Sequence, residues 1–396
     1  MYIQRTLEKK LKKYYKLPEI LAIIGPRQAG KTTLIQKFLK NKPKVKLLTL
    51  EDIDTKTLFE EDIKGFKKRY ENYQTIFIDE IQYAKNSGKQ LKYLFDTTKQ
   101  KIIVSGSSTT ELSLQSIKYL VGRVITLELH TLSFEEFLTY KDKELLKTIK
   151  TSNTAIKEAN KYLEEYILYG GYPRVVLEKD PETKKELIKN IYNTYLLKEI
   201  REILEFKKSN EMHKIIQLLA LQTSNLLRID DIANKANLSF HETKQALNIL
   251  EKTYIITLAR PTYTNKQQEI VKTPKLFFID TGLCNHATQR FAQPITGSLY
   301  ENYVAGEIIR AERELKYWRS KGQAEVDFIV QETPIEVKKT IKKPKIERSL
   351  HAYIERYKPE KAIILSQELN DTTTIKNTSI QFTPLVKLPD ILKKIH

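Results

Sequence analysis

The sequence holds one cysteine, Cys284, among 396 residues. A lone thiol closes no intramolecular disulfide, so the chain is expected to rely on its cores and to reside in a reducing, cytoplasmic compartment. Histidines are six and scattered, and no Cys/His cluster has the spacing of a zinc site. Long apolar runs are missing too. Nothing approaches the ~20 residues that span a bilayer, and the opening "MYIQRTLEKKLKKYYK" is basic without the apolar core of a signal peptide. No internal repeat or low-complexity linker occurs, which sets aside repeat architectures. Acidic residues are in deficit: 49 Asp and Glu face 68 Lys and Arg, a formal balance of +19. Such a surplus suits a polyanionic partner, nucleic acid first and an anionic membrane second. The abundance of Lys, Ile, Asn and Tyr also fits a chain encoded by an AT-rich genome, and composition alone leaves both explanations open.

The length suits two or three domains. Five β-branched, apolar runs stand in the first 130 residues: "LAIIG" (21–25), "KLLTL" (46–50), "TIFID" (75–79), "KIIVSG" (101–106) and "VITLEL" (124–129). They lack strict alternation, as strands buried on both faces do, and the segments between them are long enough for crossover helices. This is the pattern of a parallel α/β sheet. From 131 to 208 the pattern turns helical, through "LSFEEFL", "KYLEEYILYGGYPRVV" and a segment 185–206 with Leu187, Ile191, Tyr195 and Leu196 on one face. It reads as a helical lid or connector. Residues 209–296 read as a winged helix: three helices, the third with Ser239 as N-cap and Glu242 completing a capping box, then "YIITLAR" and "PKLFFID" as the strands of a wing. The third helix offers His241, Lys244, Gln245 and Asn248 to a DNA groove or, equally, serves as a spacer between protein elements. Residues 297–396 run helix, three strands, helix, strand, short helix, an α+β order.

The stretch "GPRQAGKTT" (25–33) follows a strand and opens a helix. Gly25, Pro26, Arg27, Gln28, Ala29, Gly30, Lys31, Thr32 and Thr33 then form a phosphate-binding loop for a nucleoside triphosphate, with glycines that let backbone N–H groups turn inward onto phosphate. Lys31 would reach the terminal phosphates, and the Thr32 hydroxyl would ligate Mg²⁺. "TIFIDE" ends a strand in two carboxylates. Asp79 would hold the Mg²⁺ of ATP through water, and Glu80 would orient and deprotonate the attacking water. Ser107, after the strand "IIVSG", either senses the γ-phosphate or the water or belongs to a plain loop. Arg123, before the fifth strand, either stabilises transition-state charge, in cis or toward a neighbouring subunit of a homo-oligomer, or forms a structural salt bridge.

With "GPRQAGKTTL", "FIDEIQ", "SGSS", "GRV…LSFEEFL", "YGGYPRVV" and "YENYVAGEII…YWRSKGQAEVDFIV…IEVKK", the chain resembles the archaeal and bacterial AAA-like ATPases of the additional-strand P-loop class. The resemblance spans nearly the whole chain. It implies a P-loop ATPase core, a helical and winged-helix region, and a C-terminal domain of uncharacterised function.

In that last region "EVDFIV…PIEVKK" places Asp327 on one strand and Glu336 and Lys338 on one face of the next. Two carboxylates and a lysine are what metal-dependent phosphodiester cleavage needs, with Mg²⁺ or Mn²⁺ held by the acids and Glu301 completing the set. The arrangement resembles the restriction-endonuclease-like fold, whose members either cleave DNA or keep the fold as a binding module. Gln323 and Glu325 flank the site without a clear role, and Tyr317 and Trp318 read as core or strand-surface aromatics rather than base-stacking platforms. The expected function is an ATP-hydrolysing, DNA-directed enzyme with a nuclease-like domain. The alternative is a nucleotide-dependent switch whose last domain binds without cleaving. A membrane- or protein-directed ATPase is the third reading.

Overall fold

The computed structural model describes residues 2–106, 117–194, 209–263, 267, 269, 272–320 and 322–395. The chain divides into two compact units, Met1–Thr131 with Lys252–Tyr254, and Leu132–Glu251 with Ile255–His396.

The first unit is a five-stranded parallel sheet with helices on both faces. Its strands are β1 (Ile20–Ile24), β2 (Val45–Thr49), β3 (Thr75–Asp79), β4 (Lys101–Gly106) and β5 (Val124–Glu128), in the order β2-β3-β4-β1-β5. β4 therefore lies between β1 and β3, the additional-strand arrangement expected from the sequence. All five residues of β1 are buried, and alternation splits them between two cores. Ile20, Ala22 and Ile24 pack with Phe59, Phe66 and Leu91, while Leu21 and Ile23 pack with Leu11, Leu34 and Ile35. A strand buried on both faces has no polar side, which is why its sequence shows no alternation.

The second unit opens with the helix Phe134–Lys141, started by a capping box of Ser133 and Glu136. The helix Asn153–Tyr169 stops at Gly170, and Pro173–Leu177 and Pro181–Ile191 follow, each with proline in its first turn. Tyr195 and Leu196, expected on one helical face with Leu187 and Ile191, lie outside the described residues. The helices Ser209–Leu221, Ile229–Ala236 and Phe240–Lys252 come next. The Ser239 N–H donates to Glu242 at 2.8 Å, and the Glu242 N–H donates to the Ser239 hydroxyl at 3.2 Å. After them lie β6 (Ile256–Pro261), β7 (Lys275–Phe278), the helices Thr281–Thr288 and Gly297–Arg310, β8 (Lys316–Arg319), β9 (Glu325–Val330), β10 (Thr333–Val337), the helix Arg348–Tyr357, β11 (Lys361–Ser366), β12 (Asp371–Ile375), β13 (Thr378–Pro384) and the helix Leu388–Lys394.

β6 and β7 pair antiparallel, as wing strands would. They are not free-standing, however: β6 also pairs with β8 through Arg260 and Lys316, so one eight-stranded sheet runs β12-β13-β11-β10-β9-β8-β6-β7. An edge strand with open N–H and C=O groups is better satisfied by a neighbour than by solvent. The β12–β13 hairpin is an addition to the sequence reading. Trp318 and Tyr317 are buried, and the Trp318 ring meets that of Tyr353 edge-on at 5.4 Å. Among the described residues no helix is long and apolar enough to cross a membrane.

Candidate functional site

The chain leaves β1 at Gly25 and winds through Pro26–Gly30 into the helix Lys31–Leu39. Gly30, with φ of 94°, is the N-cap of that helix and offers no side chain to its first N–H groups. Those donors, with the positive end of the helix dipole, form an anion-binding end. The Lys31 ammonium is buried and donates to the carbonyls of Gly25 and Pro26 at 3.0 and 2.9 Å. It is thus gathered inside the loop, where it can exchange those acceptors for phosphate oxygens. Gln28 sits at a φ of 58°, Arg27 donates to the Tyr83 hydroxyl at 3.0 Å, and Thr33 points outward.

Asp79 ends β3 beside this loop. The Thr32 hydroxyl donates to Asp79 Oδ2 at 2.7 Å, and Ser105 on β4 donates to Asp79 Oδ1. Two hard oxygen donors, one hydroxyl and one carboxylate, therefore meet at the start of the helix, a donor set that suits Mg²⁺. Glu80 follows at a φ of 54°, in the left-handed region, and its carboxylate accepts from the Gln82 amide. A non-glycine residue held there is uncommon and turns the Glu80 side chain out of the strand direction.

Three contributors escaped the sequence reading: Ser105, Gln82 and Arg5. Arg5 is buried and braces the site from below, donating to Ala29 O at 2.8 Å and His130 O at 2.6 Å. Ser107 lies outside the described residues. Arg123 does not serve this loop in cis. It precedes β5 opposite Ile20, the first residue of β1, so a strand length of roughly 15 Å separates it from the loop. There it pairs with Asp96 at 2.8 Å.

In the second unit, Ile335 stands opposite Phe328 in the antiparallel β9–β10 pair, so Glu336 and Asp327 are the next cross-strand neighbours and share a face. Asp327 Oδ2 accepts the Val337 N–H at 2.8 Å. Lys338 lies 3.1 Å from both Glu336 and Glu347, and Ser349 donates to Glu336 at 3.4 Å. Burial, then the charge of Asp327, pushes the Glu336 carboxyl up to about 8. Burial also raises Asp327. Against the cost of burial, Glu336 and Asp327 hold the Lys338 ammonium above its ordinary value.

Glu301 is pushed up to about 7 by burial and by Asp327. Its carboxylate accepts from Ser224 and lies 4.0 Å from Lys275, which pairs with Glu325 at 2.5 Å. The expected three-carboxylate centre is not assembled: among the described residues no three His, Cys, Asp or Glu side chains are disposed to hold a metal ion. Ser224 and Lys275 engage Glu301, and Lys338 occupies the side of Glu336. What remains is a carboxylate pair, Asp327 and Glu336, offset by lysine. Glu325, to which the sequence assigned no role, is the counter-ion of Lys275, and Gln323 is exposed. His241, Lys244, Gln245 and Asn248 all face solvent on the helix Phe240–Lys252.

Residues 17–138 match the model of an AAA domain, residues 160–294 a domain of unknown function (DUF8612), and residues 296–388 another (DUF4143). An uncharacterized protein of Methanocaldococcus jannaschii is 28% identical over 342 residues, covering 83% of this chain and 75% of that protein. One of Haemophilus influenzae is 27% identical over 64% of this chain, which spans 61% of the Haemophilus protein. One of Mycobacterium tuberculosis is 22% identical over 84% of this chain and 73% of its own. Among solved structures, a signal-transduction ATPase with a tetratricopeptide-repeat sensor from Pyrococcus horikoshii overlaps 78% of this chain and 46% of its own, at 14% identity and a TM-score of 0.30. The Aeropyrum pernix Orc1 protein in complex with DNA overlaps 72% of this chain and 93% of its own, at 10% identity and a TM-score of 0.33. The first unit is an AAA-like ATPase domain, which implies use of ATP and Mg²⁺.

Proposed function

We propose that the chain hydrolyses ATP to act on DNA, with the second unit as the DNA-directed part. The observation that carries the ATPase half is the 2.7 Å contact of Thr32 with Asp79 at the start of an uncapped helix, with Glu80 next in sequence. Thr32 and Asp79 would hold Mg²⁺, which when bound neutralises charge on the terminal phosphates. Lys31 binds the same phosphates. Glu80 orients the attacking water and takes its proton, once Gln82 releases the carboxylate.

Glu80→Gln tests this assignment. Loss of a general base costs about 10²–10⁴-fold in rate, so the variant should bind ATP and fail to turn it over. Lys31→Ala should lose ATP affinity in calorimetry. Wild-type turnover by Glu80→Gln would remove Glu80 from the mechanism.

The surplus of +19 over the whole chain supports a polyanionic partner, and in the second unit the shared face of Asp327, Glu336 and Lys338 supports a nuclease-like site. Asp327 and Glu336 would be the metal's carboxylate ligands there, two hard donors rather than three. That shortfall favours a second reading, a nucleotide-dependent switch whose last sheet binds DNA or protein without cleaving it. Duplex-stimulated ATP hydrolysis supports both readings, and Mn²⁺-dependent nicking supports the first.

A further inference from the structure

Lysines collect at the end of the helix Lys31–Leu39 that lies away from the phosphate loop. Lys12 and Lys13 close the helix Glu8–Tyr14, Lys16 follows it, and Lys37 and Lys42 stand at the end of Lys31–Leu39. These five line one groove of about 750 Å³ in the first unit. Cations at helix C-termini are favourable, which explains why two helix ends can carry them. It does not explain why five share one concavity, since like charges held together repel. Among the described residues none of the five is paired with a carboxylate. The acid lining the groove, Glu8, already accepts the Tyr2 hydroxyl at 2.6 Å and the Arg5 N–H at 3.2 Å. The floor is aromatic: Tyr15 and Phe38 meet edge-on at 5.3 Å, and the Lys42 ammonium stands 4.1 Å and 4.7 Å from their ring centres. Lys42 is thereby held in place by its cation–π contacts.

We infer that this groove is a docking surface for the phosphodiester backbone of a nucleic acid. A concave lysine-lined channel suits a linear polyanion whose charges follow one another along a strand. A membrane surface is flat and would draw on protruding apolar side chains, whereas Tyr15 and Phe38 are half-buried beneath Lys42. The inference rests on the reading of the chain as DNA-directed and gives that partner a docking point on the ATPase unit itself.

The test uses the full chain and a fluorescent duplex with its separate strand, titrated by anisotropy between about 50 and 200 mM NaCl. A triple variant, Lys12→Glu, Lys16→Glu and Lys37→Glu, changes exposed side chains outside the nucleotide loop and should keep basal ATP hydrolysis. Its affinity for the probe should fall at least about tenfold. Its log–log salt slope should be shallower by about 0.9 for each phosphate no longer neutralised on duplex, or about 0.7 on the single strand. The milder triple change to Gln should give the same direction with ATP hydrolysis intact, which separates weakened binding from unfolding. If wild type binds the probe and the variants bind it equally well, the groove is overturned and the DNA reading stands. If wild type binds neither duplex nor strand, both fall. Lysine-dependent binding to vesicles of phosphatidylcholine with phosphatidylserine, without binding to DNA, overturns the groove as a nucleic-acid site.

Discussion

At Gly25 the chain leaves β1 with φ of 149°, and a Cβ there would lie 2.1 Å from the Leu129 carbonyl oxygen. The obstacle is backbone, so no rotamer change relieves it. Gly25→Ala should displace either the phosphate loop or the end of β5, at a cost of about 1–3 kcal/mol. ATP affinity by calorimetry and the melting temperature should both fall; wild-type values for both would mean that the loop has slack that φ and the close approach do not suggest. The phosphate-loop side chains were legible in sequence because their spacing is local. Ser105 was not, because its hydrogen bond to Asp79 depends on the β3–β4 register, in which Ile78 faces Val104. The run "SGSS" offers three serines, and nothing in it says which one that register will place beside the carboxylate. Arg5 was hidden for the same reason: its acceptors are Ala29 and His130, 24 and 125 residues away.

Helices of the second unit are tied by a buried polar knot. Glu307, on the helix Gly297–Arg310, accepts the Phe134 N–H at 3.2 Å and the Tyr166 hydroxyl at 3.2 Å, and lies 3.5 Å from Arg310. Tyr166 also donates to Leu132 O at 2.6 Å, and Arg310 to Ile279 O at 2.8 Å. "LSFEEFL" and "YENYVAGEII", which carry the family resemblance, therefore supply residues that hold elements together. Burial, opposed by Arg310, pushes the Glu307 carboxyl from 4.5 up to about 7. The folded state then binds the proton more tightly than the unfolded chain, so this contribution to stability is full below the unfolded value and is lost as pH rises through the window from 4.5 to about 7. Glu307→Gln should remove that slope, up to about 1.4 kcal/mol per pH unit. Trp318, the one tryptophan and buried in the same unit, reports unfolding by urea at each pH. Equal slopes in wild type and variant would show that Glu307 ionises normally. The elements themselves were legible where apolar runs or caps mark them, as in β3 and the Ser239–Glu242 box. The β12–β13 hairpin was not: "DTTTI" is mostly polar and exposed, as an edge strand can be, and its pairing with β13 supplies the order that composition does not.

On the scale of the whole molecule the question is whether the chain cuts what its charge attracts. The surplus of +19 concerns binding, whereas the proposed cutting would rest on Asp327 and Glu336. Two carboxylates held as neighbours in a partly buried setting repel each other, which is unfavourable to the fold unless a cation is to be bound. Lys338 beside Glu336 offsets part of this repulsion, as Lys275 does for Asp327. Asp327→Asn keeps an oxygen to accept the Val337 N–H and removes one of the two carboxyl groups. If the pair is kept for a metal, the variant should lose Mn²⁺-dependent nicking of DNA, keep ATP hydrolysis at the loop of the first unit, and melt higher than wild type in metal-free buffer, since sites kept for function often cost stability. Added Mn²⁺ should then raise the melting temperature of wild type and leave that of the variant unmoved. Nicking that survives the substitution would place any cleavage elsewhere. An unchanged melting temperature, with and without Mn²⁺, would show that the lysines already balance the pair, and the second unit would then be a binding surface whose carboxylates are counter-ions.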